Sequence, residues 1–225
     1  MIKILLVDDH VLVRTALKKL LSSIEEFKII AEAASGEEAL RFMRSLGADK
    51  EIPDVVIMDI QMPGIGGLEA ARKMLRYNRD LKILGLSACK DDPIPSRFVR
   101  SGGAGFVTKD AGLDELVRAI RDVHAGRRYL HPELAQQIAL HHLGEEDSPL
   151  ENLSERELQI MLMITSGQRV QEISDNLCLS PKTVNSYRYR LFEKLGVNND
   201  VELTHIAIKY GMIDIQTLQD GTETE

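Results

Sequence analysis

The sequence predicts an α/β domain built on a five-stranded parallel sheet, followed by a small all-α helix-turn-helix domain. Five short β-rich runs, at 2–7, 28–33, 54–58, 82–86 and 105–107, alternate with segments whose apolar residues recur at helical spacing. Residues 150–213 hold no strand-like run and divide into short helices with tight turns.

The first domain occupies residues 1–125. Its helical patterns are Leu12, Ala16, Leu17, Leu20 and Leu21; then Ala39, Leu40, Met43 and Leu46; then Leu68, Ala71, Met74 and Leu75; then Leu113, Leu116, Val117, Ile120 and Val123. Ser35 and Glu38 have capping-box spacing. Residues 126–149 read as a linker, with one helix over 132–143 and a polar spacer from Gly144 to Pro149. In residues 150–213, Ser154 and Glu157 form a second capping-box pattern that opens a helix to about Thr165, and Ser166-Gly167 closes it. A short helix covers 170–177. Ser180 caps a third that starts at Pro181 and runs to about Leu195, where Gly196 ends it. Asp200 caps a fourth, to about Tyr210, and residues 214–225 form an acidic tail with no basic residue.

Composition narrows the function classes. With 44% hydrophobic and 28% charged residues, the chain of 225 residues is not an intrinsically disordered one. Its net charge of −7 argues against nucleic acid for the molecule as a whole, though not for a local basic face. Cys89 and Cys178 lie far apart and outside any C-x-x-C, which excludes a disulfide framework and a thiolate metal cluster and fits a reducing compartment. No apolar stretch reaches a membrane span, so a cytoplasmic protein is expected.

The candidate site lies at strand ends. Asp8 and Asp9 follow the first strand, Asp59 the third, Ser87 the fourth and Lys109 the fifth. In a parallel sheet those ends share one edge, where ligands bind. Three carboxylates gathered there repel unless a cation sits among them, and oxygen ligands alone suit Mg²⁺ rather than zinc. Together with Mg²⁺ and the Lys109 cation the charges cancel, so the pocket can accept a phosphoryl group, with Asp59 as nucleophile and Ser87 holding the product. Each residue alone reads as well as a solvated turn residue; their joint placement carries the argument. His10 beside the pair reads as a first-turn helix residue, and His141-His142 as solvated.

The runs Leu5-Leu6-Val7-Asp8-Asp9-His10, Val56-Ile57-Met58-Asp59-Ile60-Gln61-Met62-Pro63-Gly64, Leu86-Ser87-Ala88 and Gly105-Phe106-Val107-Thr108-Lys109 resemble, in order, a two-component receiver domain. The resemblance implies the flavodoxin-like sheet. It also implies transfer of a phosphoryl group to Asp59 from a sensor histidine kinase, and a Mg²⁺ site from Asp9, Asp59 and the backbone carbonyl of Gln61, with Asp8 assisting. Ser87 and Lys109 would bind the phosphoryl group, and Ser87 with Phe106 would form the switch. Phe106 excludes the form of that switch that depends on a tyrosine hydroxyl.

The second domain carries seven basic against eight acidic residues over 150–213, which is unpromising for DNA until the charges are placed. Lys182, Arg188, Arg190 and Lys194 share one helix and are opposed there only by Glu193. Val184, Leu191 and Leu195 should face the core. Asn185, Ser186 and Tyr189 offer amide and hydroxyl groups for base edges while the cations hold phosphates, and Thr183 counts with them among the DNA-binding residues. The runs Leu153-Ser154-Glu155-Arg156-Glu157, Val170-Gln171-Glu172-Ile173 and Leu179-Ser180-Pro181-Lys182-Thr183-Val184-Asn185-Ser186-Tyr187 resemble the LuxR-type output domain.

With the receiver in front, the chain resembles the NarL/FixJ response regulators, and the run from Ser180 to Arg190 with the later Asp200-Val201-Glu202-Leu203-Thr204 resembles the GacA/UvrY/SirA/LetA group within them. That likeness implies a regulator without an enzyme's turnover beyond its own phosphoryl transfer and hydrolysis. It also implies a homodimer bound to inverted repeats in duplex DNA, and control of small regulatory RNA genes for virulence or life-stage traits. Asn185 stands where commoner family members carry Lys, so the site read should differ from theirs. Two readings compete. A Mg²⁺-dependent phosphohydrolase lacks its D-x-D motif here, because the acids are adjacent. A phosphorylation-dependent adaptor would bind protein through its helical domain.

Overall fold

The computed structural model of the chain describes residues 1–46, 51–87, 94–132, 135–136, 149–177, 179–210 and 212. These fall into two compact units, one reaching Gln136 and one C-terminal to it. Cys89, Cys178, His141-His142, the tail 214–225 and most of the helix expected at 132–143 lie outside the described residues.

The first unit alternates strand and helix. Its elements are β1 (Ile2–Val7), α1 (Val11–Ser22), β2 (Phe27–Ala33), α2 (Gly36–Arg44), β3 (Val55–Asp59), α3 (Gly66–Tyr77), β4 (Lys82–Ser87), α4 (Ile94–Arg100), β5 (Gly105–Thr108), α5 (Leu113–His124) and β6 (Tyr129–Leu130). All strand pairs are parallel, in the order β2-β1-β3-β4-β5-β6. The chain reverses direction across the sheet between β1 and β3, so the crevice beyond their carboxyl ends is the topological switch point.

Both faces of the sheet are covered, as continuous apolar strands require. On one face Ile4, Leu6, Val55, Ile57, Leu84, Leu86 and Val107 pack with Leu21 of α1 and Leu116, Ile120 and Val123 of α5. Residues of the opposite parity, Leu5, Val7, Val56, Met58, Ile83 and Phe106, are equally buried. Phe106 meets Phe98 of α4 edge to face on that side, with ring centroids 6.1 Å apart.

In this unit the structure goes beyond the elements that the apolar pattern marks. The sheet has six strands rather than five, because Tyr129–Leu130, expected in the linker, pairs with β5. A two-residue strand has no period for a pattern to reveal. Helix α4 is implied by the receiver resemblance but was not marked by apolar periodicity; its seven residues include Pro95 and two arginines, too short a run for a helical stripe. On α1 the apolar pattern divides: Leu21 is buried, whereas Leu12 is 82% exposed.

The second unit opens with a 3₁₀ turn at Pro149–Asn152, followed by α6 (Glu155–Thr165), α7 (Val170–Leu177), α8 (Pro181–Leu195) and α9 (Asp200–Lys209). Ser154 and Glu157 complete the expected capping box. At α2 the box is partial: the Ser35 hydroxyl accepts from the Glu38 N–H, but the Glu38 carboxylate accepts from Ala34 N–H instead. Ser180 caps α8, and Gly196 ends it at φ 67°, a left-handed conformation that suits glycine. The cap of α9 is Asn199 rather than Asp200; its side chain accepts from the Glu202 N–H. Leu150, Leu158, Met161, Ile173, Val184, Leu191, Leu203 and Ala207 form the core. Among the described residues no helix is long and apolar enough to cross a membrane.

Close packing of α3 against the end of β3 sets one strict requirement. A Cβ on Gly67 would stand 1.9 Å from the Asp59 carbonyl oxygen and 2.7 Å from Ile60 Cα, both backbone atoms. Gly67→Ala should therefore cost about 2 kcal/mol or more in denaturant unfolding, while Gly112→Ala, whose Cβ meets nothing within 4 Å, should cost much less.

Candidate phosphoacceptor pocket and DNA-reading helix

Hydrogen bonds that continue the sheet past its strands hold the pocket residues in register. Asp8 N–H donates to Ala33 O, Ile60 N–H to Leu86 O and Lys109 N–H to Ser87 O. Asp59 and Ser87 end their strands, and Asp8 and Lys109 directly follow theirs. Asp8, Asp59 and Ser87 are fully buried, and Lys109 mostly so. The structure thus brings together all the residues expected there from four separate strand ends.

The Lys109 ammonium bridges the acids, 2.7 Å from Asp59 Oδ2 and 2.9 Å from Asp8 Oδ2. The remaining oxygens are met by backbone: Gln61 N–H donates to Asp59 Oδ1 at 2.9 Å and His10 N–H to Asp8 Oδ1 at 2.8 Å. Gln61 also offers its side-chain oxygen to the Ser87 hydroxyl at 3.5 Å. Arg14, on the first turn of α1, donates to the Asp8 carbonyl and pins the loop.

Burial is the largest influence on Asp59. It raises the carboxyl to about 6 against the lowering effects of Lys109 and the Gln61 N–H, and the Asp8 charge raises it further. Burial also pulls Lys109 down, but its bonds to Asp59 and Asp8 outweigh that, so the net shift is upward and the lysine stays charged.

The donor set fits a hard divalent cation. Asp8, Asp9, His10 and Asp59 each offer a ligand atom, all within 4.8 Å of one another. Asp8 Oδ2 and Asp9 Oδ1 are inaccessible to solvent and lack a hydrogen bond of good geometry, although Lys109 Nζ lies 2.9 Å from the first and His10 Nδ1 3.1 Å from the second. Three carboxylates and one ammonium leave an excess of two negative charges, which one divalent ion cancels; oxygen donors favour Mg²⁺.

In the second unit α8 presents two faces. Val184 and Leu191 are fully buried and Leu195 is partly so. Opposite them lie Lys182, Ser186, Tyr189 and Arg190, all exposed, flanked by the half-buried Thr183 and Asn185. Lys182, Thr183, Ser186, Tyr187 and Arg190 line one shallow recess, and the Arg190 guanidinium lies over the Tyr187 ring at 5.6 Å. Tyr187 had not been singled out, although its spacing of four from Thr183 and three from Arg190 was available in the sequence.

Two of the expected DNA contacts are engaged within the unit. Arg188 forms a two-pronged pair with Asp200, Nε to Oδ1 at 2.6 Å and Nη2 to Oδ2 at 2.5 Å. Lys194 donates to the buried Glu157 carboxylate at 2.7 Å and to Asn152 O at 3.0 Å. Burial pushes Glu157 up, but Lys194 and the Ser154 bonds outweigh that and leave it below the usual range. Both cations lie three residues from Leu191, which places them on the flanks of the core rather than on the outer face.

The raised Asp59 gives a pH signature. Its folded value of about 6 exceeds the ordinary 3.8, so folding favours the protonated acid. The resulting stability is present below about pH 4 and is lost as pH rises through 6. In EDTA, Asp59→Asn should therefore gain stability relative to the wild-type chain between pH 4 and 7, by up to about 3 kcal/mol. Thermal unfolding of both chains measures this; an unchanged gap contradicts the assignment. At pH 7, Mg²⁺ should stabilise the wild-type chain and not Asp59→Asn.

Comparison with known proteins identifies both domains. Residues 4–121 match the response regulator receiver domain, and residues 151–207 match the bacterial regulatory proteins of the luxR family. The chain is 53% identical over 216 residues to the response regulator GacA of Pseudomonas aeruginosa, covering 95% of this chain and 99% of that one. It is 50% identical over 220 residues to the response regulator UvrY of Escherichia coli K12, covering 97% and 99%. A crystal structure of a LuxR-family two-component response regulator from an Aurantimonas species is 35% identical, with a TM-score of 0.58 over 63% of this chain and 98% of that one. The RcsB response regulator of Salmonella typhimurium shares the fold at 23% identity, with a TM-score of 0.68 over 93% and 98%. An acidic pocket at the switch point of a parallel sheet, two family matches and half-identity to full-length relatives thus agree that the chain belongs to the two-component response regulators that join a receiver domain to a LuxR-type DNA-binding domain.

Proposed function

We propose that the chain is a transcription regulator switched by phosphorylation of Asp59 by a sensor histidine kinase in the cytoplasm. The observation that carries this reading is the Lys109 ammonium shared between Asp59 and Asp8, which leaves a buried carboxylate nucleophile beside a fixed cation. A carboxylate oxygen of Asp59 attacks the phosphorus of a phosphohistidine; the P–N bond breaks, and the imidazole leaves with the electron pair and takes up a proton. Lys109 holds the charge that develops on the transferring oxygens, and the Ser87 hydroxyl donates to the product phosphoryl group. Mg²⁺ held by Asp8, Asp9, Asp59 and the Gln61 carbonyl would supply further charge neutralisation. Burial keeps bulk water from the acyl phosphate. Ser87, drawn to the phosphoryl group, would free space at Phe106, and that ring, packed on Phe98, would carry the change to α4 and α5.

On this reading residues 1–125 are the receiver, 126–149 the linker, 150–213 the DNA-binding domain and 214–225 an acidic tail. α8 enters a major groove of duplex DNA, and a phosphorylated homodimer spans an inverted repeat. Lys182 and Arg190 hold phosphates, while Asn185, Ser186 and Tyr189 face base edges and Thr183 supports them. The pairs made by Arg188 and Lys194 favour roles for these two in placing the helix. Likeness to the GacA and UvrY group supports small regulatory RNA genes as targets, with virulence or life-stage traits downstream.

Duplex binding by the full chain tests this reading. Treatment with a small-molecule phosphodonor and Mg²⁺ should tighten binding of wild type and leave Asp59→Asn unchanged. Lys182→Ala should weaken selected and random duplexes alike and reduce the slope of log K against log salt by about 0.9, the loss of one phosphate contact. Absence of saturable, salt-sensitive binding by the phosphorylated chain would favour the adaptor reading.

A further inference from the structure

Arg188 lies on the helix proposed to read DNA but turns its fork toward Asp200, the first residue of α9. Both carboxylate oxygens are engaged, and the α9 N-terminus favours a negative charge at that position. Above the fork the guanidinium covers the Phe192 ring, 5.4 Å from its centroid. The Phe192 ring also meets Tyr189, edge to face at 6.3 Å. Tyr189 is 67% exposed and sits one turn from Asn185 on the outer side of α8. A continuous chain of contacts therefore runs from Asp200 through Arg188 and Phe192 to an aromatic side chain on the outer side of α8.

We propose that Arg188, fixed by Asp200, is a positioning residue for DNA specificity: it sets the Phe192 ring against which Tyr189 is held beside Asn185. This rests on the DNA-binding function proposed above and deepens it. A Tyr ring this exposed has open rotamers unless a neighbour selects one, and an aromatic edge with a planar cation stacked behind it makes that selection. Arg188 acts on sequence discrimination through Tyr189 and contributes no phosphate contact of its own. Asp200 neutralises it, so the cation adds little to attraction for a random duplex.

The test uses the full phosphorylated chain. A duplex enriched by the wild-type chain from a randomised library is compared with the unselected library, over a range of salt concentrations. Asp200→Asn and Arg188→Lys should each lower the preference for the enriched duplex about three- to tenfold with the salt slope unchanged, and the double variant should be no worse than either alone. Arg188→Lys keeps the charge and loses the fork, so its loss reports geometry, and circular dichroism checks that each variant is folded. Tyr189→Ala, which removes the ring that the chain of contacts holds, should lower the preference at least as far as Asp200→Asn. An Asp200→Asn chain that binds both duplexes more tightly, with Arg188→Ala lowering the slope by about 0.9, makes Arg188 a phosphate contact and overturns the proposal. An unchanged preference in Asp200→Asn overturns the positioning role alone. A wild-type chain that enriches no sequence overturns the DNA reading and this inference with it.

Discussion

The first unit is organised around the shared ammonium of Lys109. Two buried carboxylates within reach of one cation form a costly arrangement, because each ion has surrendered water and the pair of acids repels. Backbone N–H groups from His10 and Gln61 meet the remaining oxygens, and this works only while four strand ends stay in register. The sheet supplies that register, and its continuous apolar strands, covered on both faces, keep it rigid. The residual strain shows in Asp59, whose acid form is favoured up to about pH 6. A cation that binds the ionised form acts directly on that strain.

Close approach of the backbone serves the same end. Gly67 lets the start of α3 lie against the end of β3, so that the Gly67 N–H donates to the Ile60 carbonyl immediately beyond Asp59. On the other side Arg14 fixes the loop that carries Asp8 and Asp9. The acids are therefore held from behind by elements that touch no ligand. In the second unit the same logic recurs: the buried Glu157 and the half-buried Asp200 use two of the four α8 cations to fix the helix, leaving Lys182 and Arg190 on its outer face.

Much of this was legible in the sequence because periodicity two, periodicity 3.6 and strand-end chemistry are local signals. Asp8, Asp9, Asp59, Ser87 and Lys109 could be placed on one edge from strand order alone, since parallel strands put all carboxyl ends together. What escaped depends on partners distant in sequence. Tyr129–Leu130 is a strand only because β5 offers an edge. The acids that pair with Arg188 and Lys194 lie on α9 and α6, and only the angle from Leu191 hinted at those pairs. Asn199, not Asp200, caps α9: its backbone is extended and its side chain accepts from the Glu202 N–H, while Asp200 is already helical and pairs with Arg188. Short α4 offered only the Ile94–Phe98 pair at helical spacing, too little for a period to be read.

The central claim is that the shared-ammonium pocket accepts a phosphoryl group on Asp59. Intact-protein mass spectrometry of the full chain, minutes after mixing with Mg²⁺ and a small-molecule phosphodonor, tests it most directly. One added phosphoryl group on wild type, none on Asp59→Asn and a strongly reduced yield on Lys109→Ala is the predicted result. An equal yield on Asp59→Asn, or none on wild type even with a phosphorylated histidine kinase as donor, would contradict it.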